Sequence, residues 1–145
     1  MPVPTVGATA VWDGTEVLFI AGNTPAQSPS AGGEAYNPVT NTWRQLPAMP
    51  FSRADFAAVW TGSQVLVWGG VTGSSPASPV PPHGEAYDPA TNQWTALPEA
   101  PLTGRAAPTA VWTGSQLIVW GGYTARVNDT GVSYTDGAAY TPATA

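Results

Sequence analysis

Ala58-Val59-Trp60-Thr61-Gly62-Ser63-Gln64-Val65-Leu66-Val67-Trp68-Gly69-Gly70 recurs at residues 110–122, where only Val65 (now Leu117) and Leu66 (now Ile118) are replaced. Eleven of thirteen positions are identical, and a looser copy fills residues 10–22, with Asp13-Gly14 at its centre and Ala21-Gly22 at its end. Each copy leads into a second shared segment. In the first repeat it is Gly33-Glu34-Ala35-Tyr36-Asn37-Pro38 followed by Thr40-Asn41-Thr42-Trp43, and in the second Gly84-Glu85-Ala86-Tyr87-Asp88-Pro89 followed by Thr91-Asn92-Gln93-Trp94. The third, Gly137-Ala138-Ala139-Tyr140-Thr141-Pro142, reaches Ala145 before a matching tryptophan. Trp12 and Trp60 are 48 residues apart, and Trp60 and Trp112 are 52 apart. Self-similarity at such a period marks stacked supersecondary units.

Each unit reads as four short strands. Strand A at 57–60 and strand B at 65–69 are rich in β-branched and aromatic residues. Thr61-Gly62-Ser63 between them is a tight turn, because glycine accepts positive φ there. Strand C at 85–87 stops at Asp88-Pro89, where proline ends ladder donation, and strand D runs over 93–96. Strand B is apolar on both faces, as expected of a strand sandwiched between neighbouring sheets.

A double glycine after strand B, a tyrosine in strand C and a tryptophan in strand D resemble the kelch repeat. Gly69-Gly70, Tyr87 and Trp94 match it fully; the first repeat has Ala21-Gly22, Tyr36 and Trp43, and the third has Gly121-Gly122 and Tyr140. The resemblance implies an all-β fold of antiparallel β-propeller blades with strand A innermost. The expected division is one kelch domain over 1–145, with four-stranded blades at 1–50 and 51–101. A blade at 102–145 would lack its outer strand. Three blades form an open arc with apolar end faces, so a homodimer that closes six blades into one ring is expected; three chains would give nine, outside the usual four to eight.

Composition narrows the function. The 145 residues carry nine carboxylates against four arginines, no lysine and a formal charge of −5, which disfavours nucleic acid and anionic membrane surfaces. Cysteine is absent, removing disulfides and thiolate chemistry and leaving the redox compartment open. No basic-then-apolar leader opens the sequence, and no apolar run approaches the ~18 residues of a membrane span. Localisation stays open.

Strand parity sorts the loops: the B–C and D–A connections share one face, the A–B and C–D turns the other. The first set varies and is where recognition is expected. Its candidate ligand-binding residues are Arg53, Arg105, Tyr123, Arg126 and Asp129, for a peptide, glycan or protein. The bland readings stand beside these. In kelch proteins an arginine before strand A often braces adjacent blades, and a polar loop at 123–136 can be a solvated loop with a local Arg–Asp pair. Glu34 and Glu85 repeat, so they read as caps of strand C against a neighbouring backbone rather than as paired acids of a glycosidase. His83, the sole histidine, reads as a loop residue, and the repeat-equivalent tryptophans (12/60/112, 68/120, 43/94) as core filling.

The copper-radical oxidases of this fold look as if they need a Tyr–Cys crosslink and histidine ligands, and this chain lacks that inventory. No catalytic residue, metal site or cofactor is expected. The reading is a non-enzymatic scaffold that self-assembles and presents loops to a ligand. The alternatives are a structural or engineered self-assembling fragment with no ligand and, less favoured, a fragment of a kelch-fold enzyme such as a carbohydrate oxidase.

Overall fold

A computed structural model of the chain describes residues 5–73, 82–124 and 131–142. It is built of short antiparallel strands. The first sheet holds β1 (Thr9–Trp12), β2 (Val17–Ile20), β3 (Gly33–Asn37) and β4 (Thr42–Leu46), paired in that order. The second repeats it with β5 (Ala57–Trp60), β6 (Val65–Trp68), β7 (Gly84–Asp88) and β8 (Gln93–Ala96). The third has three strands among the described residues, β9 (Thr109–Trp112), β10 (Leu117–Trp120) and β11 (Gly137–Tyr140), with β10 central. Strands β1, β5 and β9 lie side by side, so strand A is the inner strand of each sheet. No helix among the described residues is long and apolar enough to cross a membrane.

Local chemistry fixes the turns. Gly14, Gly62 and Gly114 all sit near φ +100° at the A–B turns, which a Cβ would resist. Thr61 Oγ1 accepts from Ser63 N and Gln64 N, Thr113 Oγ1 does the same for Ser115 and Gln116, and Asp13 Oδ1 serves Thr15 and Glu16. At the C–D turns Asn41 and Asn92 adopt φ +54° and +57°. Their side chains accept the hydroxyls of Tyr36 and Tyr87, so the repeated tyrosine and asparagine act as one clamp across the hairpin. Strand B ends one residue earlier than its apolar run suggests, because Gly69 and Gly70 both turn to positive φ.

Two cores lie between the sheets. Leu18, Ile20, Ala35 and Leu46 of the first sheet pack on Val65, Val67 and Tyr87 of the second. Leu66, Trp68 and Ala86 of the second pack on Leu117 and Val119 of the third. Fully burying an aliphatic side chain contributes about 1.5–3 kcal/mol, so β6, buried at all four positions, is the hub of the fold.

The expectation that strand B is covered on both faces holds only there. In β2 and β10 burial alternates, because the end sheets have a neighbour on one side. The two uncovered faces are different. Val59, Leu66 and Trp68 of the second sheet pack toward the third, and their repeat counterparts Val111, Ile118 and Trp120 are exposed on the third sheet's outer face. Trp60, Val65, Val67 and Tyr87 pack toward the first, and their counterparts Trp12, Val17, Phe19 and Tyr36 stand on the first sheet's outer face, where Phe19 and Tyr36 carry Trp43 at 5.7 and 4.7 Å.

Candidate functional site

The D–A and B–C connections meet on one face, as parity requires. Arg53 N donates to Ser30 O, Ala54 and Val71 exchange two backbone bonds, and Ala106 and Tyr123 do the same. These bridges set the two arginines under the loops, pointing inward.

Arg53 has no exposed surface. Its Nη1 donates to Gly69 O at 2.9 Å and His83 O at 3.4 Å, and its Nη2 lies 3.4 Å from Glu85 Oε1. Burial lowers the pKa of the guanidinium and raises that of the Glu85 carboxyl, while their mutual attraction opposes both shifts. Among the described residues, Arg53 Nε, Glu85 Oε2 and His83 Nδ1 are buried without a hydrogen-bond partner, so those residues leave this pocket of polar atoms incompletely satisfied. The His83 ring lies 5.5 Å from that of Phe51.

Arg105 is buried in the same way. Its Nε donates to Thr103 O, and its Nη1 to Gly121 O at 3.2 Å and to Asp136 Oδ1 at 2.6 Å. The Tyr134 ring centre lies 4.0 Å from Cζ, within cation–π range. The hydrogen bond from Arg105 holds the exposed Asp136 carboxyl below the usual aspartate range.

The arrangement alters the picture of the loop face. Both guanidinium groups are engaged by carbonyls and carboxylates of their own sheet, with no surface left toward solvent. What they brace is the strand B end against the strand C start; the contact between neighbouring sheets is a backbone bond, Gly70 N to Arg105 O at 2.9 Å. Glu85 meets an arginine side chain rather than the neighbouring backbone expected of it. Tyr123 is exposed beside this cluster. Arg126 and Asp129 lie outside the described residues. Arg105 takes its acid from Asp136, a pair that residue type alone does not reveal.

The repeat signature itself is now visible as geometry. Tyr87 stacks on Trp94 at 5.1 Å, and the Trp94 indole N–H donates to Pro47 O at 2.9 Å, joining the second sheet to the first. A family model described as the kelch motif matches residues 4–50 and 52–101. The chain belongs to the kelch-repeat family.

Kelch-like protein 41b of Danio rerio is 30% identical over 125 residues, 85% of this chain and 20% of that protein. Two F-box/kelch-repeat proteins of Arabidopsis thaliana are 30% identical over 95 and 97 residues, 66% and 61% of this chain and 24% and 27% of their own length. The chain therefore spans about a quarter or less of the curated relatives it matches.

Kelch blades also have an opposite face, and here it holds a cleft that loop variability did not signal. A space of about 910 Å³ runs beneath the A–B and C–D turns, lined by Trp60, Trp112, Asp13, Asp88 and several hydroxyl side chains. The signal was present in the repeated tryptophan ending each strand A, which reads as core. Trp60 and Trp112 serve both purposes, packing on the two cores while lining the cleft.

Proposed function

We propose that this kelch-repeat chain is a non-enzymatic scaffold that closes into a six-bladed ring with a second copy and offers its B–C/D–A face to a peptide, glycan or protein. One observation carries the ring. The outer face of the third sheet is the repeat equivalent of a face that the second sheet buries against its successor, and the outer face of the first sheet is the equivalent of one buried against its predecessor. Trp68 is 4% exposed where Trp120 is 58%, and Leu66 is 1% exposed where Ile118 is 36%. The two open faces are thus the two halves of an interface the chain already forms twice. A two-fold axis joins them pairwise and leaves neither uncovered. Exposed apolar patches of this kind mark interaction surfaces.

Ligand contact on the loop face falls to the exposed Tyr123 and to the loop at 123–136, since Arg53 and Arg105 are consumed internally. Ile118→Glu tests the assembly, because it places a charge on the open face of the third sheet without touching the face packed on the second. Sedimentation velocity is expected to show the variant as a folded monomer beside a dimeric parent. A variant as dimeric as the parent would remove this face from the interface.

A further inference from the structure

The cleft on the A–B and C–D turn face carries charge that the fold does not use. Each A–B turn needs a side-chain oxygen to accept backbone N–H groups, and Thr61 and Thr113 supply it as neutral hydroxyls. The first repeat places Asp13 there. At the C–D turn Asn37 Oδ1 accepts from Val39 N and Thr40 N without charge. The second repeat uses Asp88 instead, whose Oδ1 accepts from Ala90 N at 2.8 Å. The two carboxylates belong to different repeats and different turns, yet both line the same cleft, together with the half-buried indoles of Trp60 and Trp112. Among the described residues Arg44, Arg53 and Arg105 pair with Glu16, Glu85 and Asp136, and none of these ion pairs involves Asp13 or Asp88.

We propose that this cleft binds an extended basic segment of a partner protein, whose arginine or lysine side chains lie against the indoles and pair with Asp13 and Asp88. Indole faces and carboxylates both attract cations. Turns of all three sheets contribute to the wall, and a volume of about 910 Å³ exceeds what one small cation fills. A segment with more than one cation engages both acids. The formal charge of −5 adds long-range attraction for the same partner. A neutral glycan stacks on indoles too, but it leaves unexplained why acids stand where other repeats use neutral residues. The site lies opposite the B–C/D–A face and apart from both open end faces, so it stands or falls separately from the function proposed above.

The test titrates a short capped peptide of arginine and glycine into the full chain and follows the indole N–H signals of Trp60 and Trp112 by NMR. Both signals are expected to move, and a peptide with glutamine in place of arginine is expected to leave them still. Asp13→Thr and Asp88→Asn copy the residues the chain itself uses at those turn positions, so they keep the fold. Each is expected to weaken binding about two- to fivefold, the value of one exposed ion pair. Glu99→Gln, which removes the same charge from the D–A connection on the other face, is expected to change nothing. Equal affinity of parent and both aspartate variants, an equal loss from Glu99→Gln, equal binding of the glutamine peptide, or no shift at about 1 mM peptide would each overturn the proposal. So would a linear glucose oligomer that moves both indoles where the arginine peptide does not.

Discussion

Arg53 and Arg105 occupy the same place in successive repeats, yet their carboxylates come from different positions. The second sheet uses Glu85, inside strand C; the third has Ala138 there and uses Asp136, two residues earlier, where the second has His83. A shift of two residues keeps the acid on the same side of an extended chain. The charge pair therefore survives a change of register, although its environment does not. Glu85 is buried, while the Asp136 side chain is 59% exposed. The two acids then act oppositely on stability as pH changes. Burial raises the Glu85 pKa, so its ionisation costs stability above the ordinary value of 4.5 and nothing well below it. The Asp136 pKa is lowered from 3.8, so its contribution is present above that value and is lost as pH falls through the lower folded value. Asp136→Asn is accordingly expected to lower the urea midpoint at neutral pH and to approach the parent in acid, once the pH has fallen through the lowered Asp136 value. An equal deficit at both pH values would show that the carboxylate's charge plays no part.

Most strands were legible because the sequence states them repeatedly: Val65-Leu66-Val67-Trp68 and Leu117-Ile118-Val119-Trp120 differ by one methylene and one methyl placement and form matching strands. What those letters could not convey is cover. The same side chains are buried in β6 and alternately exposed in β10, since exposure depends on whether another sheet follows. The Arg105–Asp136 pair was hidden for a related reason: the two residues are 31 apart, and the acid does not stand at the repeat position of Glu85, which Ala138 occupies. The role of each glycine in the pair after strand B was likewise unreadable from the pair. A Cβ on Gly70 would meet Ala54 O at 2.6 Å, whereas one on Gly121 meets nothing closer than Tyr134 O at 3.7 Å. Ala21 already occupies the first position of the pair at φ +51°. Gly121→Ala is therefore expected to cost about 1–2 kcal/mol, the left-handed penalty alone. Gly70→Ala adds a backbone collision and should cost clearly more by urea unfolding. Equal losses would mean that the close approach of the strand B end to the 54–56 connection is not what requires glycine.

Across the whole molecule, the fold is a stack of three sheets whose two end faces are unlike. Each internal junction combines an apolar core with few polar links. The first junction has the Trp94–Pro47 bond and Arg44, which holds Glu16 at 2.6 Å and reaches Tyr87 and Asn92 of the next sheet. The second lacks that arginine, since Thr95 replaces it. Junctions of this family chain thus do not depend on one fixed polar set, and the proposed third junction between copies would bring together the same apolar ingredients, Val111, Ile118 and Trp120 against Trp12, Val17 and Phe19. An interface of that composition is expected to resist salt, because screening acts on exposed charges rather than on buried apolar area. Ring closure is the central claim, and the mass in solution tests it most directly. Light scattering on a sizing column at micromolar concentration is predicted to give twice the 14.9 kDa of one chain. A single 14.9 kDa species that keeps its near-ultraviolet circular dichroism would contradict it.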